Sequence, residues 1–297
     1  MAERILAPEP APLDGQEDAT LRPQSLADAD FVGQPKVKAG LRILLLAAKK
    51  RREPVDHILI CGPPGLGKTT LAYIVAREMN ANIRVTSGPA LDRPADLAAT
   101  LNSMSEGDVL FIDEIHRLGK AVEEILYPAM EDGELDLVVG QGKGSASRSY
   151  RIALPPFTLV GATTRVGLLS APLRDRFGAL YRLNFYSVDE CSEILGRSAS
   201  ILQLDLDDGG RMEIARRARG TARVCNRLLR RVRDFAEVEA DGQISQRVAD
   251  AALAALDVDH RGLDDMDRRI LEAIIIKFDG GPVGLQTLGA TLAEDGV

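Results

Sequence analysis

The segment His57-Ile58-Leu59-Ile60-Cys61-Gly62-Pro63-Pro64-Gly65-Leu66-Gly67-Lys68-Thr69-Thr70 leaves little freedom in what can surround it. Ile58 to Cys61 is a short apolar run, the length of a strand buried on both faces of a parallel sheet. A helical pattern (Leu71, Ile74, Val75, Met79) begins at once behind it. Between the two, Gly62-x4-Gly67-Lys68-Thr69 has the spacing of a phosphate-binding loop, in the strand–loop–helix setting such a loop needs. The glycines, Gly65 among them, let successive backbone N–H groups converge on phosphate oxygens where side chains would collide. Lys68 brings a charge to the β- and γ-phosphates, and the Thr69 hydroxyl has the reach to bind Mg2+. The start of the helix, with Thr70 in its first turn, adds partial positive charge. A plain glycine turn ending a strand is the rival reading, and the flanking strand and helix weigh against it.

Asp108-Val109-Leu110-Phe111-Ile112-Asp113-Glu114 is a second apolar run, and it closes on two carboxylates. An acid at the carboxyl end of a strand in a doubly wound sheet lies beside the phosphate site. Asp113 is therefore placed to hold Mg2+ and Glu114 to position or deprotonate the attacking water. Strand-end acids also cap helices, but the pairing with a phosphate loop favours the catalytic reading.

Composition narrows the class. At 297 residues, 45% apolar and 27% charged, the chain has the make-up of a soluble globular protein of two or three domains. Aromatics are 4% with no Trp, so stacking platforms for single-stranded nucleic acid are scarce. A net charge of −7 argues against a generally basic, DNA-coating surface while leaving room for a local patch. Cys61, Cys191 and Cys225 lack metal-site spacing and read as small buried side chains in a reducing compartment. Neither a signal-like start nor an apolar run near about 18 residues is present, so a cytoplasmic protein without a membrane span is expected.

Along the chain, residues 1–20 are rich in Pro, Ala and acids and read as a disordered tail. A helix is predicted over 36–48, ending in Lys49-Lys50-Arg51-Arg52. That cluster fits a solvated helix end better than a nucleic-acid contact. A strand over 82–85 and helices over 96–104 and 123–130 follow. Runs at 135–139 and 150–154 flank the Gly-rich loop Gly140–Ser149, predicting a hairpin that stands off the core. Alternation puts Tyr150 and Ile152 on one hairpin face and Arg151 on the other. Phe157 to Thr164 is another buried strand, ending in hydroxyls. From Ser187 only helices are predicted (189–200, 207–217, 223–240, 245–256), with further helical stretches at 264–278 and from 285.

With these pieces in order, the chain resembles the AAA+ ATPases, and within them the RuvB family of Holliday-junction branch-migration motors. The likeness rests on the phosphate loop, Asp113-Glu114-Ile115-His116, the hairpin, Gly161-Ala162-Thr163-Thr164, Leu173-Arg174-Asp175-Arg176-Phe177-Gly178 and Arg219-Gly220-Thr221. The string Glu123-Glu124-Ile125-Leu126-Tyr127-Pro128-Ala129-Met130-Glu131-Asp132 is specific to that family. The resemblance implies an α/β fold: a P-loop NTPase domain with a parallel sheet (21–186), a small all-α lid (187–256) and part of a winged helix (257–297). It implies ATP and Mg2+ as cofactors and a homo-hexamer as the active form. Leu21 and Arg22 would lie on the adenine side, Thr163 would be the sensor 1 residue reading the γ-phosphate, and Arg223 would be sensor 2 on the lid. Arg176 would be the arginine finger reaching a neighbour's ATP, with Glu131, Asp132, Arg174 and Tyr186 as further nucleotide-pocket residues. Arginine suits these posts because it stays charged and donates in a fixed fork. The hairpin over 135–154, through Tyr150 and Ile152, would dock a junction-binding partner of the RuvA type, and duplex or junction DNA would be the substrate.

The chain departs from the family pattern in a few places. Ala29-Asp30 looks inserted, the hairpin tip is longer, Gly133 stands for an aromatic, Ala222 for a proline and Cys225 for a small aliphatic residue. The sequence stops before the basic wing that contacts DNA in the family. Two other readings stay open: a clamp-loader-type AAA+ ATPase, and a truncated chain that binds nucleotide and partner without translocating DNA.

Overall fold

A computed structural model describes residues 19–139 and 148–294. The predicted disordered tail, apart from its last two residues, and the hairpin tip lie outside the described residues. Two compact units divide the chain: residues 22–184, and residues 185–294 together with 19–21.

The first unit is built on five parallel strands: β1 (Ile58–Cys61), β2 (Ile83–Ser87), β3 (Val109–Asp113), β6 (Thr158–Thr163) and β7 (Ala179–Arg182). Their spatial order is β2-β3-β6-β1-β7. The central strands are apolar on both faces because helices cover both, and β1 and β6 are buried at every position. The covering helices are α1 (Pro35–Arg51), α2 (Lys68–Glu78), α3 (Pro94–Asn102) and α4 (Lys120–Glu131), with a short α5 (Ala171–Asp175) ahead of β7. One core gathers Leu59, Leu97, Leu110, Ile112, Leu126, Leu159 and Leu173. The register pairs Cys61 with Thr163 and Ile112 with Gly161, so β1, β3 and β6 finish at one edge.

The hairpin consists of β4 (Glu134–Val139) and β5 (Arg148–Ala153), antiparallel, with Leu135 opposite Ile152 and Leu137 opposite Tyr150. Its base is part of the domain rather than free of it. Leu135 is fully buried and Ile152 packs, half buried, against the core, while Arg151 on the other face pairs with Glu134 and Asp136 at 3.2 and 3.1 Å.

The second unit comprises α6 (Val188–Leu202), α7 (Asp208–Arg217), α8 (Ala222–Glu239), α9 (Gln246–Ala255), α10 (Asp265–Glu272) and α11 (Leu285–Glu294). Ser187, Asp207, Ser245 and Asp264 cap α6, α7, α9 and α10 with their side-chain oxygens, which is why the helices start there. Two details differ from the all-helical expectation. A two-residue parallel bridge joins β8 (Asp205–Leu206) to β9 (Gln243–Ile244), and α10 runs into a π-helical turn over Ala273–Lys277. Among the described residues, no helix is long and apolar enough to cross a membrane.

Candidate nucleotide site

The loop between β1 and α2 begins at Gly62 (φ 150°), and a Cβ there would stand 2.7 Å from the Leu183 carbonyl oxygen. Only glycine fits that turn of the loop. Gly67 closes it in the left-handed region and caps α2, whose first three residues are Lys68, Thr69 and Thr70. The Lys68 ammonium is drawn back over the loop and donates to the carbonyl oxygens of Gly62 and Pro63, both at 2.9 Å. Burial of Lys68 makes those bonds necessary, because an ammonium removed from water must be hydrogen-bonded. A loop of backbone alone, a helix N-terminus and a tethered cation form a donor set that fits a polyphosphate. Thr69 and Asp113, the latter at the end of β3, one strand removed from β1 across β6, supply the hydroxyl and carboxylate oxygens that a hard cation such as Mg2+ selects.

Glu114 follows β3 with φ 48° and ψ 43°, a left-handed conformation that costs a glutamate energy and is held by its surroundings. Its N–H donates to Asp113 Oδ1 at 2.9 Å. Its carbonyl lies against Gly88, where a Cβ would come within 2.5 Å of it. The side chain enters a polar network at the end of β6. Thr164 Oγ1 donates to Glu114 Oε2 at 3.2 Å, and His116 Nε2 stands 3.3 Å from the same oxygen. His116 Nδ1 lies 2.8 Å from the Thr163 hydroxyl, which also accepts the Arg165 N–H at 3.0 Å. Burial lowers the His116 pKa, and the nearby Glu114 carboxylate only partly opposes that shift. Lys68, Asp113, Glu114 and Thr163 thus lie on or next to three adjoining strand ends.

Arg176 follows α5 and is held within its own unit. It donates to Pro172 O at 2.8 Å and to Glu131 Oε2 at 3.0 Å, and its guanidinium carbon lies 4.4 Å from the centre of the Tyr127 ring. Tyr127 in turn donates to Glu123 Oε2 at 2.9 Å, which also accepts from Ser170 Oγ at 2.7 Å. Ser170 is the N-cap of α5. Tyr127, Glu123 and Ser170 were not singled out individually in the sequence, because a tyrosine and a glutamate one turn apart on a helix look like ordinary surface spacing. Arg174 is half-exposed and Asp132 exposed at the end of α4. Arg22 stacks over Tyr73, 4.2 Å from the ring centre.

Leu21, Tyr186 and Arg223 belong to the second unit. Leu21 is buried, and its carbonyl accepts from Arg197 at 2.7 Å. Tyr186 is buried and donates its N–H to Gly220 O at 2.9 Å. Arg223 is half-buried in the first turn of α8.

Residues 21–183 match the family model described as the Holliday junction DNA helicase RuvB P-loop domain, and residues 186–259 match the RuvB AAA lid domain. Among solved structures, the Thermotoga maritima RuvB Holliday junction branch migration motor is 50% identical, with a TM-score of 0.82 over 92% of this chain and 86% of that one. A lysine-to-arginine mutant of Thermotoga maritima RuvB is likewise 50% identical, with a TM-score of 0.83 over 92% and 85% of the two chains.

Proposed function

Because the chain belongs to the RuvB family of P-loop ATPases, we propose that it is an ATP-driven motor subunit that pumps duplex DNA to migrate Holliday junctions in recombination and repair. The observation that carries this reading is the meeting of Lys68, Asp113, Glu114 and Thr163 at adjoining strand ends, in a chain whose loop domain and lid both match that family. A clamp-loader-type ATPase is not favoured, since the lid matches the RuvB model and Arg174-Asp175-Arg176 stands where such relatives carry Ser-Arg-Cys.

Bound ATP with Mg2+ supplies the phosphoanhydride to be cleaved and the cation that neutralises charge developing on it. Lys68 and the loop amides bind the phosphates, while Thr69 and Asp113 hold the cation. Glu114 orients the attacking water and accepts its proton, and Thr163 reads the γ-phosphate. Arg22 and Leu21 face the adenine, with Glu131, Asp132, Arg174, Tyr186 and Arg223 completing the nucleotide contacts in this reading. Arg176 acts on the ATP of a neighbouring subunit in a homo-hexamer. Residues 187–256 form the lid and 257–297 the start of a winged helix. The hairpin docks a RuvA-type junction-binding protein through Tyr150 and the part of Ile152 that is not packed against the core, and the motor works in the cytoplasm.

The test is ATPase and branch migration on a synthetic four-way junction with that partner. Junction DNA should stimulate hydrolysis, Lys68→Ala should abolish tight ATP binding, and Glu114→Gln should bind ATP yet turn it over at least about a hundredfold more slowly. Tyr150→Asp should leave basal ATPase intact and remove co-elution with the partner. Junction-independent hydrolysis, or near-normal turnover in Glu114→Gln, overturns the assignment.

A further inference from the structure

The network at the end of β6 has a fixed hydrogen count. A Glu114 carboxylate only accepts, so the proton on His116 must sit on Nε2, the nitrogen 3.3 Å away. A neutral imidazole then has an accepting Nδ1, and the group 2.8 Å from it is the Thr163 hydroxyl. Burial lowers the His116 pKa and so favours the neutral imidazole, whose side chain is only 6% exposed. The Thr163 oxygen already accepts the Arg165 N–H, so its single proton goes to His116. Donors therefore run from the Arg165 N–H to Thr163 and from Thr163 to His116, whose Nε2 faces the Glu114 carboxylate at 3.3 Å, and that carboxylate also receives Thr164.

A phosphate oxygen, like an imidazole Nδ1 in this tautomer, can only accept from a hydroxyl. One hydroxyl proton cannot serve both. We propose that His116 is a positioning residue that couples Thr163 to Glu114: donation by the Thr163 hydroxyl to a γ-phosphate oxygen breaks its bond to His116, and the imidazole, no longer fixed at Nδ1, is free to turn away from the Glu114 carboxylate that it faces. No covalent bond changes. One hydrogen bond is exchanged for another. The proposal rests on Thr163 being the residue that reads the γ-phosphate.

The test is a set of double-mutant cycles in kcat and in the Kd for ATP, measured on the junction-stimulated full chain. Thr163→Val is combined with His116→Gln, which keeps a donor near the Nε2 position, and with His116→Asn, which keeps an acceptor near the Nδ1 position. Each single substitution should lower kcat by at least about tenfold with ATP affinity little changed. In either His116 background the Thr163→Val penalty should shrink, leaving only the loss of its own γ-phosphate contact. A residue that serves only packing would lower thermal stability and leave the Thr163→Val penalty at full size. Penalties that multiply, or wild-type kcat in both His116 variants, overturn the link. If Thr163→Val alone leaves kcat unchanged while Glu114→Gln is slow, the reading of Thr163 fails first, and the link with it.

Discussion

His57 illustrates how a single buried side chain ties the site's scaffold together and makes it sensitive to pH. Its Nδ1 accepts the Leu159 N–H of β6 at 2.9 Å, which leaves Nε2 protonated to donate to Met130 O on α4 at 3.2 Å. Burial lowers its pKa from the ordinary 6.5, against an opposing pull from the Met130 carbonyl. The folded value lies below the unfolded one, so the stabilisation is complete above about pH 6.5 and is lost as pH falls through the folded value. His116 contributes with the same sign, whereas Asp28, Asp96 and Asp259 are shifted below 3.8 and titrate outside this window. Urea unfolding should show stability declining from pH 7 towards pH 5. His57→Ala should flatten part of that slope and, at pH 8, cost about 1–3 kcal/mol for each backbone group left without a partner. An unchanged slope in the variant would show that other groups set it. At this scale the sequence was informative where chemistry demands fixed spacing, as in Gly62 to Thr69, and silent where it does not. Nothing in the string Asp113-Glu114-Ile115-His116 says that the histidine turns back to meet Thr163, because that contact depends on the left-handed turn at Glu114 and on a strand 47 residues further along.

At the scale of elements, α4 matters most after α2. Its buried face, Val122, Leu126 and Ala129, packs on the core, and its other residues build the seat of Arg176. Tyr127 has two separable parts in that seat. The ring lies under the guanidinium, and the hydroxyl fastens to Glu123, which also holds the cap of α5. Tyr127→Phe keeps the ring, so Arg176 should stay in place and ATPase should fall by no more than about twofold. Tyr127→Leu removes the cation–π contact, about 0.5–1 kcal/mol at an exposed site, and should lower kcat severalfold with ATP binding unchanged. Equal rates in the two variants would assign the seat to Glu131 and Pro172 alone. Most of these elements were legible because their apolar residues follow periods of two or 3.6. The strand β7 was not. Its alternating Ala179, Leu180, Tyr181 and Arg182 leave Leu180 half-exposed at the sheet edge, without the continuous apolar run that announced β1 and β6. The π-helical turn at Ala273–Lys277 was also unreadable, since its Ile-Ile-Ile sequence suits an ordinary helix equally well.

For the whole molecule, the decisive question is whether one chain's site needs a neighbour. Arg176 is tied at home by Pro172 O, by the Tyr127 ring and by an ion pair to Glu131, whose side chain is 53% exposed, and ion pairs of that kind contribute about 0–1 kcal/mol. A phosphate offers a guanidinium a charge-assisted and bidentate partner stronger than a half-exposed carboxylate. The sequence could show the arginine but not this weak tether, because the tether joins α4 to the loop after α5 across 45 residues. If the finger acts across a boundary between subunits, Arg176→Ala should bind ATP normally and hydrolyse it poorly. Mixing it with Glu114→Gln chains, themselves slow, should then restore activity above either variant alone. Some boundaries in a mixed ring join an intact Glu114 on one chain to an intact Arg176 on the next. Recovery should peak near equal proportions and vanish at either extreme. A finger that served its own chain's nucleotide would give no recovery at any ratio in rings shown to exchange subunits, because every chain would then carry one of the two defects in its own site.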